Sequence, residues 1–301
     1  YDASATMDDG SCIYCNVGSA VDTFAYTGSI QTYVVPSGVT SVTIEAFGAQ
    51  GGAAMGSDGG MGAYMSGDFV VSPGDVLSVL VGGMGASNTS YHAGGGGGSF
   101  VISSGNPIIV AGGGGGGFFD SNNYGAINRH ASITTNGNDG SDGWSATSAG
   151  LGGVSGSGGG STSAAWTGGS QGTGGGGFYT NGEDSFGATG GAAYLNGAIG
   201  GMPVCIDGSE GGFGGGGAGD FCYWTGSGGG GGYSGGGGGS YYGCGGGGGS
   251  YNIGTNQDNL VGTQLGNPQF GNGLVIISYG AGVDCGCTDP SAVNYDPSAI
   301  I

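Results

Sequence analysis

Residues 111–117 read AGGGGGG, and nothing else in the chain limits its fold as sharply. Six consecutive glycines offer no side chain to bury and little helix propensity, and they cost much entropy to order. Such a run either stays disordered or packs backbone against backbone. Similar runs recur at 94–98, 174–177, 214–217, 228–232, 235–239 and 245–249, so one explanation has to serve them all. A flexible glycine linker is the plain alternative. Against it, the runs are fenced by Phe118, Phe178, Phe213, Tyr233 and Tyr251, which a free linker would not need. A strict Gly-X-Y period is absent, which excludes collagen.

Polyproline II geometry has three residues per turn, a rise of about 3.1 Å and no internal hydrogen bonds, so six glycines span roughly 19 Å. Every N–H and C=O must then find a neighbouring rod or water. Ordering costs about 1–2 kcal/mol per residue and a hydrogen bond returns about 1 kcal/mol. A bundle of such rods therefore needs help from the interspersed aromatics and from disulfides.

Composition narrows the partners. Of 301 residues 86 are glycine, which leaves a thin conventional core, and 20 acidic residues face a single basic one, Arg129. A net charge of −19 argues against nucleic acid and anionic membrane and leaves divalent cations open. No apolar run is long enough for a membrane span. Seven cysteines in a chain with so little core read as disulfides in an oxidising, extracellular setting. His92 and His130 lack metal-site spacing and read as surface or loop positions. Matches to GxGxxG abound, but none sits in a strand-turn-helix unit. No acid-base or nucleophile constellation assembles, so neither an enzyme nor an organic cofactor is expected.

Outside the glycine runs the pattern is β. Residues 32–35 and 41–47 alternate as a half-buried strand pair about Pro36-Ser37-Gly38, and 64–71 and 76–81 form a second pair about Ser72-Pro73-Gly74-Asp75. Shorter strands are expected at 99–102 and 107–110, and a closing strand at 273–279. The two ends echo each other: Tyr295-Asp296-Pro297-Ser298-Ala299 repeats much of Tyr1-Asp2-Ala3-Ser4-Ala5. Joined end to start they give GCTDPSAVNYDPSA…DDGSCIYC, which resembles the acidic, cysteine-bounded modules that recur in very large surface proteins of gliding marine bacteria. By that resemblance residues 1–17 are the C-terminal half of one such repeat and 284–301 the N-terminal half of the next, with Cys12 and Cys287 pairing to neighbouring units. Cys15 and Cys285 flank the domain between and would staple its ends. Cys244 is left either as a thiol in the bundle or as a link to another chain. Asp2, Asp8, Asp9, Asp289, Asn294 and Asp296 would place oxygens around Ca²⁺ in a joined module. The same residues also read as Asx and Asp-Gly turns closing a disulfide loop.

Residues 18–283 carry a second resemblance. Phe24-Ala25-Tyr26-Thr27-Gly28-Ser29, the turn at Val34-Val35-Pro36-Ser37-Gly38-Val39, Phe47-Gly48-Ala49-Gln50-Gly51-Gly52, Ser72-Pro73-Gly74-Asp75 and Ile109-Val110-Ala111-Gly112 together resemble the glycine-rich domain of anaplastic lymphoma kinase and leukocyte tyrosine kinase receptors and its bacterial relatives. The fold this implies is all-β: a TNF-like antiparallel β-sandwich (20–111 plus 273–280) with an inserted bundle of polyglycine II helices (112–250) and no significant α-helix. The receptor pattern of a cysteine pair bracketing GGFGGGG implies a Cys205–Cys222 disulfide.

The role expected is a non-enzymatic repeat module of a giant secreted bacterial cell-surface protein, part of an adhesive filament of the gliding-adhesin or prey-capture type. Copies would stand in tandem and contact one another laterally through displayed aromatics. The alternative is a module that binds a cell-surface glycan or protein through loops at the bundle tips, where Phe119, Tyr124, Trp144, Tyr223 and Trp224 are the candidate contacts.

Overall fold

A computed structural model describes residues 19–89, 91–118, 128–143, 148–161, 171–221, 225–264 and 270–280. Its strands are β1 (Ala20–Ala25), β2 (Gln31–Val34), β3 (Ser41–Phe47), β4 (Ala63–Val70), β5 (Val76–Leu80), β6 (Ser99–Ser103), β7 (Asn106–Ala111), β8 (Asp220–Phe221), β9 (Thr225–Gly226), β10 (Tyr251–Asn252), β11 (Thr255–Val261) and β12 (Leu274–Tyr279). Two antiparallel sheets, ordered β1-β12-β3-β4-β11 and β10-β7-β6-β5-β2, form a sandwich. Among the described residues helix is confined to 3₁₀ turns at Tyr194–Asn196 and Gly262–Gln264. Alternation builds the core: Val42, Ile44 and Ala46 of β3 and Val275 and Ile277 of β12 meet Leu77, Val79, Val101 and Ile109 of the facing sheet.

The two strand pairs expected as hairpins are something else. β2 pairs with β5 and β3 with β4, so the chain crosses from one sheet to the other both at 35–40 and at 71–75. Alternation is identical in the two cases, because each strand turns one face to the same core whether its neighbour lies beside it or across from it. The two crossings clip together: Val35 N–H donates to the Asp75 carbonyl (2.9 Å) and Gly74 N–H to the Val35 carbonyl (2.9 Å). The hairpin of β6 and β7 does form, with Ser104 and Gly105 at positive φ in its turn.

The glycine runs are ordered rods. In the 112–117 run, Gly113 and Gly116 donate to Gly231 (2.8 Å) and Gly228 (2.9 Å), both on one neighbouring run. Gly114 and Gly117 donate to Ala49 and Gly52 (both 2.9 Å), on a second, and Gly115 donates to Arg129 (2.8 Å). In both of these pairs residues three apart address the same neighbour, the threefold repeat of a polyproline II helix. The carbonyls are taken in turn: Gly248 and Gly245 donate to Gly113 (2.8 Å) and Gly116 (3.1 Å), Gly96 to Gly114 (2.8 Å), and Gly60 to Gly115 (2.8 Å). The rod is enclosed by other backbone.

Partner spacing also gives direction. Gly228 and Gly231 donate to Ala93 and Gly96, numbers rising together, so those rods run parallel, whereas 113/231 and 116/228 run oppositely. In chain order the runs alternate toward and away from the sandwich. Several rods are direct continuations of strands: β7 runs into 112–117, 94–98 leads into β6, β3 runs into 48–52 and 245–250 leads into β10. Segments within the span 20–111 therefore belong to the bundle as much as residues 112–250 do.

The fence aromatics are end plates. At the sandwich end Phe178 stacks on Tyr194 (5.2 Å between centroids), and Tyr233 stacks on Tyr251 (4.6 Å). This layer covers the outer face of the second sheet, where Leu80, Phe100, Ile102 and Val110 are buried. At the far end Phe118 packs against Tyr242 (5.3 Å) and Tyr91 (6.2 Å). Phe118 and Phe178 are only 5% and 2% exposed. The fence residues Phe118 and Phe178 thus cover rod ends, the packing help expected of the interspersed aromatics, and removing that apolar surface from water stabilises the bundle.

Candidate functional site

At the perimeter of a glycine bundle, outward N–H groups have no further rod to reach. Here side-chain oxygens take them. Asp139 Oδ1 accepts from Gly152 (2.7 Å), Asp142 Oδ1 from Ala149 (2.6 Å), Glu183 Oε2 from Ser161 (3.1 Å) and Asp184 Oδ1 from Gly190 (2.9 Å). Thr180 Oγ1 and Ser157 Oγ do the same for Gly158 (2.9 Å) and Val154 (3.0 Å). Lysine and arginine carry only donors and cannot replace them. This gives a structural reason for the acid-rich, base-poor composition.

One part of the perimeter is apolar. Two neighbouring segments are joined by Ala192 N–H to Ile199 O (2.8 Å), Thr189 N–H to Met202 O (2.9 Å) and Met202 N–H to Thr189 Oγ1 (2.9 Å). Along the second, Ile199, Met202 and Val204 are 62%, 49% and 54% exposed; Phe186 is exposed on the first, and Ile206 at the following turn is 100% exposed. Ile199 and Met202 share a face because a threefold rod brings each third residue round to the same side.

The foundation under Ile206 is buried and polar. Asp220, with no exposed surface, accepts from the N–H groups of Val204 (3.0 Å) and Cys205 (3.3 Å). His92, equally buried, donates from Nε2 to the Asp207 carbonyl (2.7 Å), which also receives Asn88 Nδ2 (2.7 Å). Burial pushes the His92 pKa down, and the Asp207 hydrogen bond and the Asp220 and Asp207 charges only partly oppose it. Ser209 and Gly219 exchange backbone hydrogen bonds (2.8 and 2.9 Å). The turn at 205–209 is thereby clamped from behind with its apolar side chain facing water. His92 is a correction to the surface position expected for it, and no local signal in the sequence marks it: its partners Asp207 and Asp220 lie far along the chain.

A second feature is an open groove of 510 Å³ between the bundle and the sandwich edge, lined by His130, Ala131, Ser132, Ile133, Asn138, Val261, Thr263 and Gln264. Its polar groups are engaged in structure: His130 Nδ1 accepts the Met61 N–H (3.0 Å), Asn138 Nδ2 donates to the His130 carbonyl (2.9 Å), and Gln264 Oε1 accepts from Val261 (3.2 Å). Burial, followed by the Arg129 charge, lowers the His130 pKa.

Of the residues singled out in the sequence, Cys205 is disulfide-bonded, while its expected partner Cys222 lies outside the described residues. Cys12, Cys15, Cys285 and Cys287, the Ca²⁺ candidates Asp2, Asp8, Asp9, Asp289, Asn294 and Asp296, and the tip residues Phe119, Tyr124, Trp144, Tyr223 and Trp224 also lie outside them. Cys244 is 2% exposed, its N–H bonded to Ser141 Oγ (2.7 Å), a position that points away from a link to another chain. Among the described residues no group of His, Cys, Asp and Glu converges as a metal site, and no helix is long and apolar enough to cross a membrane. No protein-family model matches the chain, and no curated protein matches it.

Proposed function

We propose that this chain is a non-enzymatic structural module of a large secreted bacterial surface protein, repeated in tandem and working in adhesion. The observation that carries this reading is where the chain enters and leaves: Ala20 of β1 is paired with Tyr279 of β12, so both ends emerge side by side. A body built this way hangs from a long chain at one point, and many copies fit on one thread. The interior suits a mechanical part, being close-packed backbone held by hydrogen bonds in several directions. The half-repeats at either end, and the glycine-rich domains of receptor kinases and their bacterial relatives that residues 18–283 resemble, support the same reading. Ca²⁺ bound by the joined half-repeats is part of this proposal.

A second reading is favoured by one observation, the apolar face of Ile199, Met202, Val204 and Ile206 on a clamped foundation. In this reading the module binds a protein or glycan there. Display of one, two and four copies of residues 1–301 on a non-adherent bacterium separates the two. Adhesion that grows with copy number and survives Ile206→Asp supports the mechanical role. Adhesion abolished by Ile199→Asp and Ile206→Asp in a folded protein moves the function to that face. No adhesion at any copy number overturns both.

A further inference from the structure

β1 is held lightly for a strand of its length. It lies at the edge of its sheet and pairs with β12 alone. Along β1 only Ala20 and Phe24 are even half-buried, and Phe24 is the residue that packs on the sandwich core, edge-on against Tyr33 at 6.1 Å. Asp22 lies on the same side of the strand as Phe24 but is exposed, so it adds no burial to hold β1. Beneath lies the Tyr33 hydroxyl, buried and without a hydrogen-bond partner.

The load path compounds this. Tension between residues 19 and 280 acts on the Ala20–Tyr279 rung first, then on Val21–Ser278, and opens the ladder one rung at a time instead of shearing it as a whole. The loop after β1 is exposed, with Gly28 at φ 73°, and Tyr26 at its start meets Phe213 at 6.5 Å between ring centroids.

We infer that β1 is a detachable strand, and that the β12 edge it vacates is a docking site for the β1 of a second copy of this chain. The occupant follows from the register. An identical strand restores every rung from Ala20–Tyr279 to Ala25–Leu274 and returns a phenylalanine to its place over Tyr33. Because the exchanged contacts equal those lost, the balance is set by tension and local concentration, as in domain swapping. The inference rests on strand geometry and not on the adhesive role.

The test is single-molecule pulling of residues 1–301 carrying Cys15→Ser and Cys285→Ser, so that no staple between the ends takes the load before β1, with handles at both ends. The expected trace shows an early step releasing roughly 20 Å of chain, six residues at about 3.4 Å each, below the force that unfolds the body. A Val21→Cys, Ser278→Cys disulfide removes the early step and leaves the later one at wild-type force, which also shows that the variant folds. Phe24→Ala lowers the force of the early step alone. A free peptide spanning residues 19–26, added to the stretched molecule, slows reclosure, and the same peptide with Phe24→Ala does so far less. A single unfolding event unchanged by the cross-link overturns the detachable strand. An early step whose reclosure ignores the peptide overturns the docking site.

Discussion

Gly114 lies at the middle of the enclosed rod, and a single methyl there tests the packing. A Cβ on Gly114 would lie well inside 3 Å of the Gly60 carbonyl group, backbone that has no side-chain freedom with which to yield. Relief to ordinary van der Waals contact requires the two rods to part by more than 1 Å. That motion stretches the bonds Gly114 makes to Ala49 (2.9 Å) and receives from Gly96 (2.8 Å), and the Gly60 to Gly115 bond (2.8 Å). Each is buried, and stranding a buried partner costs about 1–3 kcal/mol, which gives roughly 3–9 kcal/mol for Gly114→Ala. Domains of this kind hold about 5–15 kcal/mol in all. At about 2–4 °C per kcal/mol, the Tm by scanning calorimetry should fall by at least about 6 °C, and Gly114→Val should prevent folding. Gly280→Ala is the control, because nothing lies within 4 Å of a Cβ there. A Gly114→Ala protein that melts within about 2 °C of the parent would refute close packing of the rods.

Three further outcomes follow from the same contacts. His92 and His130 have folded pKa values lowered mainly by burial, so below about pH 6.5 the unfolded chain takes up protons that the folded one refuses. Stability by urea titration should therefore be full above that pH and fall from pH 7 to pH 5, and equal stability at both would contradict the assignment. Phe178→Ala empties the stacked layer on the second sheet and should cost about 3–5 kcal/mol, read as a lower urea midpoint at constant slope. Asp220→Ala frees the Val204 and Cys205 amides, and hydrogen exchange should quicken at 204–206 with the sandwich strands unchanged.

The rods were legible because polyglycine leaves two choices, and the fencing aromatics favoured one of them. What escaped was the bundle's outer shell. Segments such as 136–142 and 199–202 hold few consecutive glycines, yet Asn136, Asp139 and Asp142, and again Ile199 and Met202, are exposed at every third residue. A period of three, sought beside 2 and 3.6, would have found them. The sheet-to-sheet crossings after β2 and β4 were hidden because alternation reports which face is buried and not which strand lies alongside. β11, reading Thr255-Asn256-Gln257-Asp258-Asn259-Leu260-Val261, is a mostly exposed edge strand with no apolar alternation to betray it. The buried polar group under Ile206 depends on Asn88, His92, Asp207 and Asp220 meeting across more than a hundred residues, and no local pattern encodes that.

The central claim is that successive glycine amides are donated to different neighbouring rods inside a close-packed bundle. Amide hydrogen exchange on Gly112–Gly117 and Gly228–Gly232 measures this directly. Protection as strong as that of β3 and β12, lost together with theirs on global unfolding, is the predicted result. Exchange at the rate of an unstructured chain, with the sandwich strands still protected, would mean that the glycine runs are linkers and the account is wrong.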